Sequence, residues 1–134
     1  MATAPEYATN ALRIAKYEAA KAKGYSMASY VASDIFRLED VQVGENCFVM
    51  ESQTINLDVK IGDNVVLWSG NHIGDRSVIG DHVWISSQVA IGGDVTVGAG
   101  CFIGMNATIG HGVKVAEKTL VGAGTLITKS TKPG

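Results

Sequence analysis

Histidine is the side chain in this sequence best suited to proton transfer near neutral pH, because it changes charge between about pH 5 and 8. The 134 residues include three of them, His72, His82 and His111. A positioned histidine can act as the general base of a group-transfer reaction, and three that converge can bind zinc. Which of these chemistries is open depends on the elements that carry the three side chains.

Those elements are predicted by a six-residue period in the aliphatic residues. Neither a helix nor a simple strand repeats every six residues. Such a period is typical of a hexapeptide β-helix, in which three six-residue edges form one triangular coil. We therefore predict an all-β parallel β-helix of about five coils over residues 43–134. The period is unbroken through Val43, Val49, Ile55, Ile61, Leu67, Ile73, Ile79, Ile85, Ile91, Val97, Ile103, Ile109, Val115, Val121 and Ile127.

In such a β-helix, residues separated by multiples of 18 stack in one column, about 4.8 Å apart per coil. His111 follows Asp75 by 36 residues, so we expect the two on one corner, about 10 Å apart. Cys47 and Cys101 are 54 residues apart, which is about 14 Å and too far for a disulfide. We expect both thiols to be buried and unreactive. The three histidines fall on different corners and levels, which argues against a zinc site within one chain.

Alternation along each edge assigns one outward column that is wholly apolar. Five stacked apolar side chains on an outer face would form a large exposed patch. They indicate either contact with further copies of the chain, for which a cyclic trimer suits a three-sided prism, or a cover formed by an N-terminal helix. The column consists of Phe48, Val66, Trp84, Phe102 and Leu120.

Residues 1–42 are predicted to form a short helix and a lead-in strand. Asn10 fits the N-cap of a helix over 11–23, and Gly24 fits the position just after its end. A short strand is predicted within 25–32. The expected apolar stripe of the helix is Leu12, Ala15, Ala19 and Ala22.

The composition of the chain argues against several classes of function. The net charge of −2 and the lack of a polybasic stretch argue against binding to nucleic acid or an anionic membrane. The sequence has no apolar run long enough to span a bilayer. It also lacks a basic-then-apolar signal pattern, so we expect a cytoplasmic protein.

Three segments of the sequence resemble the hexapeptide-repeat sugar acyltransferases of the sialic-acid O-acetyltransferase type, a group of left-handed β-helix enzymes that includes bacterial amino-sugar N-acetyltransferases. The resemblance implies a left-handed helix. It also implies that residues 1–42 are the remnant of a front domain that normally helps to hold the sugar nucleotide. The segments are IGDNVVLWSGNHIGDRSVIGDHVWISSQVAIGG (Ile61–Gly93), FIGMNATIG (Phe102–Gly110) and VGAGTLITK (Val121–Lys129).

The resemblance further implies acetyl transfer from acetyl-CoA to an amine or hydroxyl of a sugar. Such enzymes carry their histidine base in a Gly-His-His-Ser turn, which corresponds here to the turn containing Asp75 and Arg76, and a second family histidine corresponds to Gln88. We predict Asp75 at the catalytic position, with His72 and Asn106 as helpers. An aspartate is a weaker base than a histidine, and we expect Arg76 beside it to weaken it further.

In the resembled enzymes, CoA lies in the groove between neighbouring subunits and bonds to backbone turns. Carried over by register, those turns contain Gly93, Met105, His111 and Ala123. Two functions stay open. The first is an acetyl-CoA-dependent sugar acyltransferase that is slow or has a relocated base; the alternative is a catalytically inactive trimer that binds a ligand or acts as a scaffold.

Overall fold

The computed structural model describes residues 5–133. One helix, α1, spans Pro5–Ala22 and is followed by two-residue strands numbered β1 to β17 in chain order. Every strand pairs in parallel with the strand one coil further along, as Trp84 of one strand does with Phe102 of the next. The strands form three sheets, which are the three sides of a prism.

Sheet A contains β1 Tyr30–Val31, β4 Phe48–Val49, β7 Val66–Leu67, β10 Trp84–Ile85, β13 Phe102–Ile103 and β16 Leu120–Val121. Sheet B contains β2 Phe36–Arg37, β5 Thr54–Ile55, β8 His72–Ile73, β11 Ala90–Ile91, β14 Thr108–Ile109 and β17 Leu126–Ile127. Sheet C contains β3 Gln42–Val43, β6 Lys60–Ile61, β9 Val78–Ile79, β12 Thr96–Val97 and β15 Lys114–Val115. Four-residue turns join the sheets and stack into three edges of the prism, which we call the A–B, B–C and C–A corners.

The core is the stack of aliphatic residues predicted from the six-residue period. Thirteen of the fifteen are buried, and Val43 and Ile127 near the two ends of the stack are half-buried. The cysteines are buried and unpaired as expected, and burial raises the pKa of both thiols, Cys47 and Cys101. The predicted fold, a left-handed parallel β-helix of about five coils with a short N-terminal helix, is confirmed.

The coils begin earlier than the predicted boundary at residue 43. Tyr30–Val31 already pairs with Phe48–Val49, and the following strand pairs with Thr54–Ile55. Val31 keeps the six-residue register, but Arg37 occupies the next aliphatic position and interrupts the pattern. That interruption is why the sequence period alone places the start too late.

The structure also corrects the prediction for α1. The helix starts at Pro5, so Asn10 is not its N-cap but lies within it, 2% exposed. Leu12 of the predicted apolar stripe is 58% exposed, whereas Tyr17 is buried. The helix does end as expected: Gly24 has a φ of +84° and donates its N–H to the carbonyl of Lys21 at 2.9 Å. No helix within residues 5–133 is both long and apolar enough to cross a membrane.

Helix α1 packs on the C–A corner and the adjoining part of sheet A. It covers part of the apolar column, because it contacts the strand of Phe102 and places Arg13 over the ring of Trp84. In this column Val66 is buried, Trp84, Phe102 and Leu120 are half-buried, and Phe48 is 44% exposed. Of the two predicted ways to bury the apolar column, the N-terminal helix therefore explains the middle of the column and leaves the residue in its first coil exposed. The turn that carries His82 is covered as well, and the imidazole ring is half-buried against Tyr17 of the helix, with a centroid distance of 5.6 Å.

Candidate active site

Four of the seven predicted site residues line one open cleft on the B–C corner, with a volume of about 440 Å³. They are His72, Asp75, Gly93 and His111, and they come from three successive coils. The cleft is mostly polar and contains both basic and acidic side chains. Its complete lining is Asn56, His72, Gly74, Asp75, Arg76, Gly93 and His111.

Stacking of the B–C turns brings these residues together. The N–H of Asp94 donates to the carbonyl of Asp75 at 2.8 Å, and the N–H of Gly112 donates to the carbonyl of Gly93 at 2.9 Å. The turns approach so closely that a Cβ on Gly74 would lie 2.5 Å from the backbone of the next coil, so that the backbone would have to shift to admit a side chain. The glycine at this position therefore allows the two turns to stack this closely.

Asp75 lies in the cleft but also holds the turn together. Its carboxylate accepts the backbone N–H of Leu57 at 3.2 Å from the coil before. Asp63 and Asp81 on the C–A corner do the same for the coils that precede them, at 2.9 and 2.8 Å. The Asp75 carboxylate thus has the geometry of a structural turn aspartate as well as a place in the cleft.

Arg76 pairs with Asp94 and not with its neighbour Asp75, contrary to the expectation from sequence. Its Nε and Nη2 donate to the two carboxylate oxygens of Asp94 at 2.8 and 3.0 Å. This bidentate hydrogen bonding lowers the pKa of Asp94 below its ordinary value and raises the pKa of Arg76. The Nε2 atom of His111 lies 3.6 Å from the same carboxylate. Arg76, the cation that the sequence suggests would make Asp75 a weaker base, is therefore bound by Asp94.

His72 is exposed on sheet B and faces the cleft. Its Nε2 lies 3.4 Å from Nδ2 of Asn56, which also donates to the carbonyl of Ile73 at 3.1 Å. The imidazole is thus open to a ligand on one side and in contact with an amide on the other. His72 combines exposure with the chemistry of a general base near neutral pH, whereas His111, the second exposed imidazole of the cleft, has its Nε2 3.6 Å from the Asp94 carboxylate.

The other three predicted residues are not in this cleft. Asn106, Met105 and Ala123 are exposed on turns of the A–B corner, at the opposite edge of sheet B. Asn106 has a positive φ of 60° and donates its backbone N–H to the carbonyl of Ser87. Within one chain, the predicted catalytic and CoA-binding residues therefore fall into two groups separated by the width of the sheet.

Two residues of the cleft region, Asn56 and Asp94, are not identified as site residues from the sequence. The signal that could have found Asp94 was present, because it follows Arg76 by one coil of 18 residues and must stack on it. Asn56 precedes Gly74 by the same interval and so lies beside the strand that carries His72. Column register, rather than proximity in the chain, identifies the contacts of a β-helix.

No group of three His, Cys, Asp or Glu side chains within residues 5–133 is arranged to hold a metal ion.

Sequence comparison matches residues 76–111 and 94–129 to the family described as bacterial transferase hexapeptide (six repeats). The matched segments lie within the six-residue repeat of the β-helix. No match is found among curated protein sequences.

Solved structures similar to this hexapeptide-repeat chain include sugar N-acetyltransferases. One is a histidine-to-asparagine variant of perosamine N-acetyltransferase from Caulobacter crescentus in complex with CoA and GDP-perosamine. It has 28% identity and a TM-score of 0.87, and the match covers 90% of this chain and 58% of that one. A second is PerB from the same organism with the same ligands, with 27% identity, a TM-score of 0.90, and 93% and 60% covered.

A third similar structure is the acetyltransferase domain of PglB from Neisseria gonorrhoeae, with 21% identity and a TM-score of 0.89, in a match that covers 93% of this chain and 61% of that one. At that identity the likeness concerns the fold. The hexapeptide-repeat chain thus spans about three fifths of the length of these relatives.

Proposed function

We propose that this chain is an acetyl-CoA-dependent N-acetyltransferase that acts on the amino group of a nucleotide-linked sugar. The observation that carries the proposal is the B–C cleft, where an exposed histidine stands among the glycine turns that the resemblance assigns to CoA. The likeness to structures bound to CoA and GDP-perosamine supports the same reaction class. An amine is favoured over a hydroxyl because a free amine is already nucleophilic without a strong base.

His72 is the proposed general base. The amine nitrogen attacks the thioester carbonyl of acetyl-CoA, the new C–N bond forms, and the C–S bond breaks as the tetrahedral intermediate collapses. The proton lost by the nitrogen passes to His72 and is then available to the leaving thiolate of CoA. Asp75 holds the turn through its bond to Leu57, and backbone N–H groups of the corner turns would stabilise the oxyanion.

The split of the predicted residues over two corners is best explained by assembly. We propose a homotrimer in which the A–B corner of one subunit, with Met105, Asn106 and Ala123, faces the B–C corner of the next, with Gly93 and His111. This contact would combine the two groups around one CoA molecule. We further propose that residues 1–42 correspond to the end of a front domain in longer relatives, and that the protein works in the cytoplasm, where acetyl-CoA is at hand.

The proposal is tested by incubating the purified protein with acetyl-CoA and GDP-perosamine, together with a panel of other nucleotide-linked amino sugars. Release of free thiol is followed. We expect turnover that falls about 10²–10⁴-fold in His72→Ala, as is typical for loss of a general base. We expect Asp75→Asn to lose less, because an amide oxygen can still accept the N–H of Leu57.

The matched control is His82→Asn, since Asn46 and Asn64 occupy the same turn position in the preceding coils. This variant removes a histidine from another corner and should keep wild-type turnover. Binding of CoA without turnover on any acceptor would favour the inactive ligand-binding trimer, and no binding of CoA would favour a scaffold.

A further inference from the structure

We infer that Asn56 is a positioning residue that holds neutral His72 in the tautomer with its proton on Nδ1, so that Nε2 is the atom that accepts a proton. The inference rests on the proposed function only in assigning His72 as the base. The tautomer itself is a property of the free protein and can be measured without any substrate.

The orientation of the Asn56 carboxamide is set by the backbone of the next coil. Its Nδ2 lies 3.1 Å from the carbonyl oxygen of Ile73, which also accepts the backbone N–H of Asn56 at 3.0 Å. A carboxamide oxygen placed there would face a carbonyl oxygen, and neither atom can donate. The amide nitrogen is therefore the end of the side chain that points toward Ile73 and toward His72.

The same amide nitrogen lies 3.4 Å from Nε2 of His72. An amide NH₂ group can only donate, so the imidazole nitrogen opposite it must accept. In a neutral imidazole one nitrogen accepts and the other carries the proton. The proton of neutral His72 is thereby placed on Nδ1, with the Nε2 lone pair directed at Asn56 and the cleft.

The charged groups Arg76 and Asp75 of the cleft bond to other partners and do not compete for the contact between Asn56 and His72. Arg76 is occupied by both oxygens of Asp94, and the Asp75 carboxylate accepts the N–H of Leu57. Within residues 5–133, Asn56 is the partner that the ring of His72 contacts by hydrogen bond. The distance of 3.4 Å is long for a hydrogen bond, so we expect a clear excess of one tautomer rather than complete selection.

For catalysis, the consequence concerns the side from which Nε2 of His72 receives a proton. The side-chain N–H of Asn56 occupies the position that the N–H of an acceptor amine would need in order to reach Nε2. The incoming amine would displace this weak contact and find the lone pair already oriented. A carboxylate in place of Asn56 would do the opposite, because it can only accept and would draw the proton onto Nε2.

The test is two-bond ¹H–¹⁵N NMR of the histidine rings, recorded on the full chain at a pH where the rings are neutral and assigned by comparison with His72→Ala. We expect the wild type to show the pattern of Nδ1 protonation. Asn56→Ala should move the pattern toward a mixture, and Asn56→Asp should move it toward Nε2 protonation. Gln42→Ala, which removes an exposed amide on sheet C, should leave the pattern unchanged.

A wild-type His72 protonated on Nε2, or a pattern that stays the same in both Asn56 variants, would overturn the inference. Circular dichroism at each step shows whether a variant is folded, and Asn56→Gln serves as a second variant that keeps the donor. The activity measurement is separate. In an active enzyme we expect Asn56→Asp to lower kcat about 10-fold or more with little change in KM for acetyl-CoA.

The two failures can be told apart. Absence of acetyl transfer with the expected tautomer pattern contradicts the proposed function and leaves the role of Asn56 toward His72 intact. Acetyl transfer that depends on His72, combined with an unchanged tautomer in the Asn56 variants, contradicts the positioning role alone.

Discussion

At the B–C corner, charged side chains find their partners along the stack and not along the chain. Arg76 and Asp75 are neighbours in sequence, yet the guanidinium bonds to Asp94 of the following coil. Arg76 and Asp94 stack one coil apart, at about 4.8 Å, and at this spacing the guanidinium reaches both carboxylate oxygens.

The Arg76–Asp94 pair should make stability depend on pH in one direction. Because pairing lowers the pKa of Asp94 below its ordinary value of 3.8, its contribution is complete above this value and is lost as pH falls through the lowered pKa. We expect Asp94→Asn to lower Tm by a few degrees at most at pH 7, since the pair is exposed. The difference from wild type should vanish below the lowered pKa.

Thermal melts of both proteins at pH 7 and at a pH below the lowered pKa of Asp94 measure this effect, and added salt should reduce the difference at pH 7. Asp34→Asn, an exposed carboxylate on the A–B corner, is the control and should show no such pH dependence. A difference between wild type and Asp94→Asn that is equal at both pH values would contradict the prediction.

Helix α1 is attached to the β-helix by polar contacts as much as by apolar ones. The Arg13 guanidinium donates to the backbone carbonyls of Asn64 and His82 and to the side-chain oxygen of Asn10. It also lies 5.7 Å from the ring centroid of Trp84. Burial of the group lowers the pKa of Arg13 to about 10, so these bonds must compensate for the loss of water around a charge.

We therefore predict that Arg13→Ala weakens the attachment of α1. Loss of hydrogen bonds to a charged group costs about 1.5–3 kcal/mol each in comparable sites, and we expect a decrease in the free energy of unfolding near the lower end of that range. Arg13→Lys should recover only part of it, because a single ammonium cannot reach both coils. Urea unfolding measures the loss, and hydrogen exchange should show earlier opening in α1 than in the sheets.

Arg37→Ala provides the comparison for this experiment, because Arg37 is an exposed arginine on sheet B. It should change the free energy of unfolding little. Equal protection of α1 in wild type and Arg13→Ala would show that the apolar contacts alone hold the helix.

As a whole, the molecule is a prism with one side more apolar than the others. Helix α1 covers the middle of sheet A, but Tyr30 and Phe48 remain 53% and 44% exposed, with their ring centroids 5.2 Å apart. Two adjacent exposed aromatic rings are a natural place for a neighbouring subunit. We therefore expect the open part of sheet A, which adjoins the A–B corner, to form part of the trimer contact.

Sedimentation of the purified protein tests the assembly. We expect the wild type to have about three times the chain mass of 14.0 kDa, and Phe48→Glu to shift toward the monomer because it buries a charge at the contact. Leu12→Glu is the matched variant, since Leu12 on α1 is 58% exposed and α1 lies on the C–A corner, outside the proposed contact. A monomeric wild type, or dissociation by Leu12→Glu alone, would exclude sheet A as part of the contact surface.

The sequence by itself determined the β-helix, its core and its register. Inward and outward positions are dictated by strand alternation, so an unbroken period of six allows few other folds, and the burial of Cys47 and Cys101 follows from the same count. Column register also placed His111 on the corner of Asp75, where the structure has it. These predictions succeeded because each depends only on local geometry repeated many times.

Only the tertiary structure decided what lies against the prism and which side chains meet in the cleft. The sequence pattern of α1 suggested an apolar stripe, but the helix packs through Asn10, Arg13 and Tyr17, whose partners are backbone carbonyls and turn side chains of four different coils. Likewise, the contact between Asn56 and His72 depends on rotamers at a corner. The repeating backbone determines where such residues lie. Their contacts depend on the side-chain rotamers, which the six-residue period does not predict.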